Sequence, residues 1–328
     1  NKEIMAERLE DYALGKRATN TKGTIKKVGL VGGGSMGQEI AVEVSKAGID
    51  VILIDLNPDR IEEIKGMISN LLDIRINRWG MTTGDKKAIL SRIQFSTDFC
   101  DLVDSNIVIE CINTKKSVSN IESRKEVFKS IEKCVGEDTV IASNASTVLI
   151  ADLAIVLNHP ERSIGIHFIS PASSVDIIEV NKCVITNQVT SDIIEKFAKV
   201  IKKKIIHVTA SPGNISTRLI IPLINEACEL LMEGVGTVED IDNTLMLGFG
   251  MQLGPFALAD KIGLDKLLKW MEGLYDEFGD KKYKTSPIIK RMVRANLMGK
   301  RTGEGFYIYE NEKRRSKAGS IINLGREI

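Results

Sequence analysis

The chain has 328 residues, of which 43% are hydrophobic and 27% are charged, a composition typical of a folded protein large enough for two domains. Its 45 Lys and Arg residues nearly balance its 44 Asp and Glu residues, for a net charge of +1. That balance argues against a nucleic-acid-binding protein and against attachment to an anionic membrane surface.

The cysteines and the apolar runs narrow the class further. The five cysteines are scattered and form no C-x-x-C pair, which argues against a disulfide framework and against a zinc site and favours the reducing cytoplasm. No metal site is predicted. No stretch approaches 18 uninterrupted apolar residues, so no membrane-spanning helix is predicted either.

In chain order, residues 1–24 come first as an N-terminal extension. They are charged and lack the apolar core of a signal peptide. We expect a short amphipathic helix there, followed by a polar linker.

Residues 25–210 alternate short apolar runs with helical patterns. The runs rich in Val and Ile are predicted strands: KKVGLVG, DVILID, NIVIECI, TVIASN, SIGIHF, DIIEV and KIIHVT. Helices are predicted at Met36–Ala47 and Pro58–Trp79. Buried strands separated by helices predict an α/β fold with a doubly wound, largely parallel sheet of the Rossmann type.

The pattern changes after TASPGN. Residues 211–310 contain long helical patterns rich in Met and Leu, with no convincing strand between residues 215 and 300. They predict an all-α C-terminal domain that begins near Ser211–Gly213. Residues 311–328 are polar and are predicted to form a peripheral tail.

A glycine fingerprint joins the first predicted strand to the first helix. The motif runs from Gly32 through Gly34 to Gly37, and Asp55 ends the second strand 18 residues later. Gly32 permits a tight turn, Gly34 lets the backbone approach a pyrophosphate, and Gly37 lets helix and strand pack closely. Ser35 and Met36 lie in the same loop at the helix start.

The acidic residue at the end of the second strand indicates the cofactor. Asp55 would accept hydrogen bonds from the ribose hydroxyls and would repel a 2′-phosphate, so NAD is favoured over NADP. FAD-binding proteins carry a similar fingerprint, but the later sequence argues against FAD as the cofactor.

His167 is the most informative single residue. It stands in the apolar run IGIHF, where a histidine is most often a satisfied core residue. Glu179 lies in the next apolar run, where an unpaired carboxylate would be costly. Each residue explains the other if they pair, so we expect an imidazole base held by a carboxylate.

Five segments together resemble the L-3-hydroxyacyl-CoA dehydrogenase family, which includes 3-hydroxybutyryl-CoA dehydrogenases. The resemblance extends from about Lys26 to Tyr309, in order, and rests on SNAS (143–146), IGIHFISPASSVDIIEV (164–180), SPGNISTRL (211–219), LGPFALADKIGLD (253–265) and GKRTGEGFY (299–307).

The resemblance implies roles for particular residues. His167 would be the general base, Glu179 its orienting carboxylate, and Ser146 a hydrogen-bond donor to the substrate oxygen beside the nicotinamide. Arg75 and Arg78 would contact coenzyme A phosphates, although a solvated helix face explains them equally well. Family members are usually homodimers through the C-terminal helices.

The chain departs from the family at several site positions. Thr217, still a candidate catalytic residue, and Ser170 stand where the family usually has Asn. Ser119 occupies a position where the family usually has Glu. Arg124 and Arg301 occupy positions where it usually has Lys. By resemblance, Ser119, Arg124, Ser146, Ser170 and Arg301 are expected near the cofactor.

The predicted function is NAD-dependent oxidation of an (S)-3-hydroxyacyl-CoA to the 3-oxoacyl-CoA, or the reverse. One alternative is a dehydrogenase of a free 3-hydroxy acid, similar to gulonate or carnitine dehydrogenases, in which Arg or Lys would bind the carboxylate. The other is a dinucleotide-binding protein without turnover.

Overall fold

A computed structural model describes residues 24–77, 80–112, 120–310 and 313–316. The predicted N-terminal extension up to residue 23, most of the predicted tail, and the candidate residues Arg78 and Ser119 lie outside the described residues.

The N-terminal part is built on one eight-stranded sheet with the strand order β3-β2-β1-β4-β5-β6-β7-β8. Neighbouring strands are parallel except β6 and β7, which are antiparallel. The strands are β1 (Lys27–Val31), β2 (Asp50–Ile54), β3 (Ile93–Ser96), β4 (Ile107–Glu110), β5 (Val140–Ser143), β6 (Ser163–Phe168), β7 (Ile177–Lys182) and β8 (Lys204–Thr209).

Helices cover both faces of this sheet and bury two apolar layers. On one face Ile40, Ile64 and Ile68 are fully buried; on the other face Phe128 and Leu153 are fully buried. The helices are α1 (Ser35–Lys46), α2 (Pro58–Asn77), α3 (Thr83–Ser91), α4 (Asn120–Cys134), α5 (Ile150–Ala154) and α6 (Gln188–Val200). The predicted doubly wound α/β fold is confirmed.

The C-terminal part is helical, as predicted. Its helices pack around a separate core that includes Phe256, Leu267 and Met271. They are α7 (Ser216–Glu233), α8 (Val238–Phe249), α9 (Pro255–Ile262), α10 (Leu264–Phe278) and α11 (Pro287–Arg294), and they are followed by the two-stranded β9 (Ile308–Glu310) and β10 (Lys313–Arg315). Gly234, with φ of 73°, ends α7, and a Thr237–Asp240 capping box begins α8.

The strand order places a crevice at β1, where the direction in which strands are added to the sheet reverses. The chain crosses from β1 to β2 on one side and later returns to β4 on the other side of β1. Ligands of doubly wound sheets bind at this point, beyond the carboxyl ends of the strands. Among the described residues, no helix has both the length and the apolar character needed to cross a lipid bilayer.

Candidate active site

The glycine loop between β1 and α1 is shaped to hold a phosphate group. Gly32 has φ of 110°, and a Cβ there would lie 2.9 Å from backbone atoms of Ile112. Among the described residues other than its chain neighbours, none has an atom within 4 Å of a Cβ built on Gly34, and no side chain caps the start of α1 at that residue. The start of α1 borders a cavity, which Gly34, Ser35 and Met36 line, and its first N–H groups are suited to bind a pyrophosphate there.

Asp55 is fixed at the edge of this loop. Its Oδ2 accepts a hydrogen bond from the Gly33 N–H at 3.1 Å, and its Oδ1 accepts one from the Asn57 N–H at 3.3 Å. Arg60 Nε lies 4.0 Å from Oδ2, although Arg60 is five residues further along the chain. The carboxylate is positioned at the carboxyl end of β2, where a ribose would be bound.

His167 and Glu179 face each other across the antiparallel pair β6–β7, in direct register. The His167 Nδ1 and a Glu179 carboxylate oxygen are 2.7 Å apart, and both side chains are buried. A second histidine–glutamate pair, His159 and Glu161, is half exposed at the surface with a separation of 3.5 Å.

The start of α7 holds the Glu179 carboxylate. Glu179 accepts hydrogen bonds from the N–H groups of Ile215 at 3.1 Å and Ser216 at 2.8 Å, and from the Ser216 hydroxyl at 2.7 Å. Burial alone would raise the pKa of Glu179, but the hydrogen bonds from His167 and Ser216 outweigh it and lower the pKa. The carboxylate is therefore ionised at neutral pH. Sequence reasoning missed Ser216.

A cavity of about 330 Å³ lies between the sheet and the C-terminal helices. Because Nδ1 of His167 is bonded to Glu179, Nε2 is the ring nitrogen available to a ligand. The predicted site residues that line the cavity are Gly34, Ser35, Met36, Arg124, Ser146, His167, Ser170 and Thr217.

Arg124 is held at the cavity wall by a buried carboxylate. It forms an ion pair with fully buried Glu110 at the end of β4 and donates to the Ile112 carbonyl at 2.9 Å. Glu110 also accepts a hydrogen bond from the Ser143 hydroxyl at 2.7 Å. Glu110 joins the ends of β4 and β5 to α4. In the sequence, Glu110 is an acidic residue within the predicted strand NIVIECI, with no further signal of this role.

Ser170 is bound to an acidic side chain of α1. Its hydroxyl donates to Glu39 at 3.0 Å, and the Ala172 N–H donates to the same carboxylate at 2.6 Å. The segment after β6 is thereby fixed beside the glycine loop.

Two predicted cationic contacts do not line the cavity. Arg75 Nη1 lies 3.0 Å from Glu43 Oε1 of α1, with both side chains largely buried, so its charge is compensated within the fold. Arg301 pairs with Asp265 at 2.9 Å and is 63% exposed.

Two unpredicted lysines of α10 do line the cavity, Lys266 and Lys269. Their spacing of three residues places them on the same face of the helix. Burial lowers the pKa of both ammonium groups. The LDKLLKW segment contains this spacing, but two lysines on a helix surface do not by themselves indicate a cavity.

Comparison with known proteins gives matches over both regions of the chain. The family model described as "3-hydroxyacyl-CoA dehydrogenase, NAD binding domain" matches residues 27–211. The model described as "3-hydroxyacyl-CoA dehydrogenase, C-terminal domain" matches residues 213–309.

Individual relatives agree with the family models. The chain is 36% identical to a probable 3-hydroxybutyryl-CoA dehydrogenase of Deinococcus radiodurans over 283 residues, which cover 86% of this chain and 100% of that protein. It is 33% identical to the human mitochondrial hydroxyacyl-coenzyme A dehydrogenase over 300 residues, covering 89% of this chain and 94% of the human protein.

Solved structures show the same similarity. Mycobacterium tuberculosis FadB2 superimposes with a TM-score of 0.82 at 30% identity, covering 88% of this chain and 100% of that chain. The (S)-3-hydroxybutyryl-CoA dehydrogenase PaaH1 of Ralstonia eutropha has a TM-score of 0.76 at 36% identity, with the same coverage of 88% and 100%.

The glycine loop fits the cofactor that the family model names. Gly34 and the uncapped start of α1 line the cavity and provide N–H donors for a pyrophosphate, and Asp55 directly follows β2, where the ribose hydroxyls of NAD would lie. The predicted NAD cofactor is confirmed. The chain belongs to the 3-hydroxyacyl-CoA dehydrogenase family and is an NAD-dependent dehydrogenase of that family.

Proposed function

We propose that the chain oxidises an (S)-3-hydroxyacyl-CoA to the 3-oxoacyl-CoA, or catalyses the reverse reduction, with His167 as general base oriented by Glu179. One observation carries the proposal. The 2.7 Å contact between His167 Nδ1 and Glu179 lies beside a cavity that also contains the start of the glycine loop.

The residues divide the proton chemistry among them. Bound NAD would supply the acceptor for the hydride of the substrate carbon. His167 Nε2 takes the hydroxyl proton as the hydride departs, because Nδ1 is held by Glu179. The ionised carboxylate of Glu179 stabilises the imidazolium that forms. In the reduction direction the imidazolium returns the proton.

Ser146 and Thr217 complete the polar side of the cavity. Both line it together with His167, and each offers one hydroxyl to the substrate oxygen. The lining also includes the apolar side chains of Ile220, Leu258 and Trp270, which suit an acyl chain and limit the access of water.

A free 3-hydroxy acid is the second candidate substrate. Lys266 and Lys269 place two basic side chains along the cavity, and a carboxylate would be a suitable partner for them. Arg124 also lines the cavity, but its charge is already paired with Glu110. Arg75, proposed from the sequence as a coenzyme A contact, is paired with Glu43. Coenzyme A thioesters stay the first candidate because they are the substrates named for the relatives.

The proposal includes a cytoplasmic homodimer and the domain limits predicted from the sequence, 25–210 and 211–310. Exposed apolar side chains on the C-terminal helices support the dimer: Leu219, Leu247 and Phe249. The five free cysteines support a reducing compartment.

An absorbance assay of NADH oxidation separates the two substrates. Acetoacetyl-CoA and free acetoacetate are compared at matched concentrations. The proposal expects turnover of the thioester with kcat/KM at least about tenfold above that of the free acid. A preference for free acetoacetate would instead establish the second candidate.

A double-mutant cycle tests the His167–Glu179 pair. His167→Gln and Glu179→Gln should each reduce kcat by about 10²- to 10⁴-fold, and the double variant should lose little more. Their matched controls are His159→Gln and Glu161→Gln, which alter the exposed pair and should leave kcat unchanged. Losses that multiply in the double variant would show that the two residues act separately.

A further inference from the structure

Lys266 connects the C-terminal helices to the glycine loop. It lies in the first turn of α10, and its Nζ is 3.0 Å from the hydroxyl of Ser35, a residue 231 positions earlier in the chain. Ser35 is the first residue of α1. The ammonium group therefore lies at the helix start where a pyrophosphate is expected to bind.

The surroundings of Lys266 favour an anionic ligand. Burial lowers its pKa, Glu39 and Asp265 act in the opposite direction, and Arg301 adds to the lowering. A partly desolvated cation gains most from a charged hydrogen-bond partner. Lys266 also shares the cavity wall with Gly34 and Ser35, so its charge and the α1 N–H groups face the same space.

Arg301, the cation of the C-terminal region that the resemblance places near the cofactor, forms an ion pair with Asp265 instead. Arg301 is 63% exposed and paired with Asp265, the residue that directly precedes Lys266. Arg301 is absent from the described lining of the cavity. Of these two neighbouring cations, Lys266 is the one with access to the cofactor loop.

We propose that Lys266 binds the pyrophosphate of NAD, so that the helical region supplies the cation that completes the cofactor site. The inference rests on membership in an NAD-binding family and is independent of the roles proposed for His167 and Glu179. A phosphate oxygen would take the place of the Ser35 hydroxyl as the partner of the ammonium group, or would share it with that hydroxyl. Cofactor binding would then hold the sheet and the helical region together.

Binding measurements without turnover test the proposal. The probes are NADH, followed by its fluorescence, and ADP-ribose, followed by calorimetry. Lys266→Met should raise the Kd of both ligands about tenfold or more, because a charge-assisted hydrogen bond is lost. Lys266→Gln, which keeps a polar side chain, should show a similar loss, and Lys266→Arg should bind within a few-fold of the parent.

Two further variants serve as comparisons. Lys261→Met removes an exposed lysine of neighbouring α9 and should leave both Kd values unchanged. Arg301→Met should change them by less than about twofold, since the structure directs that side chain to Asp265. Adenosine, which has no phosphate, should bind the parent and Lys266→Met equally.

The proposal is overturned if the ADP-ribose Kd of Lys266→Gln and Lys266→Met stays within about twofold of the parent, or if Arg301→Met loses as much affinity as they do. Because ADP-ribose binding requires no proton transfer, its outcome is separate from the activity of the His167 and Glu179 variants.

Discussion

Thr217 is 2% exposed, lies in the first turn of α7, and lines the cavity with Ser146 and His167. Thr217→Val keeps the shape of the side chain but removes its hydroxyl. If the hydroxyl contacts the substrate oxygen, kcat/KM for acetoacetyl-CoA should fall about tenfold, the equivalent of one hydrogen bond of ~1.4 kcal/mol. Steady-state kinetics on acetoacetyl-CoA and on a longer 3-oxoacyl-CoA measure this loss.

The matched control for this prediction is Thr209→Val, at an exposed position at the end of β8. It should leave kcat/KM unchanged on both esters. A Thr217→Val protein with parental kinetics on every ester would mean that the hydroxyl takes no part in turnover.

The site residues that could be predicted from the sequence are those whose charge is unusual in their surroundings. His167 and Glu179 are ionisable residues within apolar strands, so each required a partner. Ser216, Glu110 and Lys266 could not be assigned in the same way, because helix starts, strand ends and helix surfaces accept polar residues without further explanation. Their partners lie far away in the chain, as in the Ser35–Lys266 contact.

At the scale of elements, Glu132 connects α4 to the segment that leads into β6. Its carboxylate accepts hydrogen bonds from the N–H groups of Asn158 at 2.8 Å and His159 at 3.0 Å, and from Arg162 at 3.2 Å. Burial would raise the pKa of Glu132, but these hydrogen bonds outweigh it and lower the pKa below its ordinary value of 4.5. The ionised form therefore stabilises the segment that positions β6.

Glu132→Gln should reduce the free energy of unfolding by about 1–2 kcal/mol at neutral pH, because the charged hydrogen bonds are lost. A carboxyl whose pKa is lowered on folding stabilises the protein above its unfolded pKa, and this contribution is lost as the pH falls through the folded pKa. Urea unfolding at a series of pH values should therefore show the two proteins converging below about pH 4.5.

Glu126→Gln breaks an ion pair with Lys129 on the same helix. Because that pair is exposed and screened by solvent, the change should leave the free energy of unfolding nearly unchanged at every pH. A difference between the parent and Glu132→Gln that persisted undiminished at low pH would assign the effect to packing and not to charge.

The elements that the sequence did not predict are short or depend on tertiary pairing. Strand β3 has only four residues, IQFS, of which Ile93 alone is buried, so its apolar pattern is weak. The antiparallel pairing of β6 with β7 follows from their short connection between Phe168 and Ile177, since a parallel return would need a crossover of a dozen or more residues. The long helices were predictable because their apolar residues recur over several turns, and the long strands because their apolar runs extend over several residues.

At the scale of the whole molecule, two buried carboxylates organise the helical region. Asp242 accepts hydrogen bonds from the Phe256 N–H at 2.8 Å and the Tyr307 hydroxyl at 2.9 Å, which joins α8, α9 and the segment before β9. Asp260 accepts from the Phe306 N–H at 2.8 Å. The segments LGPFALADKIGLD and GKRTGEGFY, which contribute to the family resemblance, thus contain residues that join the helices of this chain.

The same region carries the apolar surface proposed for the dimer. On α8, Leu247 is 83% exposed and Phe249 is 77% exposed, while Leu219 on α7 is 67% exposed. Large apolar side chains at such exposure indicate a protein–protein interface. Phe249→Glu and Leu247→Glu should each shift the protein from dimer to monomer, because a carboxylate would be desolvated without a partner in the interface.

Size-exclusion chromatography with light scattering, over a series of protein concentrations, measures the shift. Val184→Glu is the matched control, since Val184 is a fully exposed apolar residue after β7, in the sheet region. It carries the same change in charge and should leave the dimer intact. A parent protein that is monomeric at every concentration, or a Phe249→Glu protein that stays dimeric while Val184→Glu dissociates, would exclude the C-terminal helices as the interface. If Phe249→Glu and Leu247→Glu both dissociate and the thermal unfolding of the monomer is unchanged, the interface lies at α8. It would then belong to the helical region that also supplies Thr217 and Lys266 to the cavity.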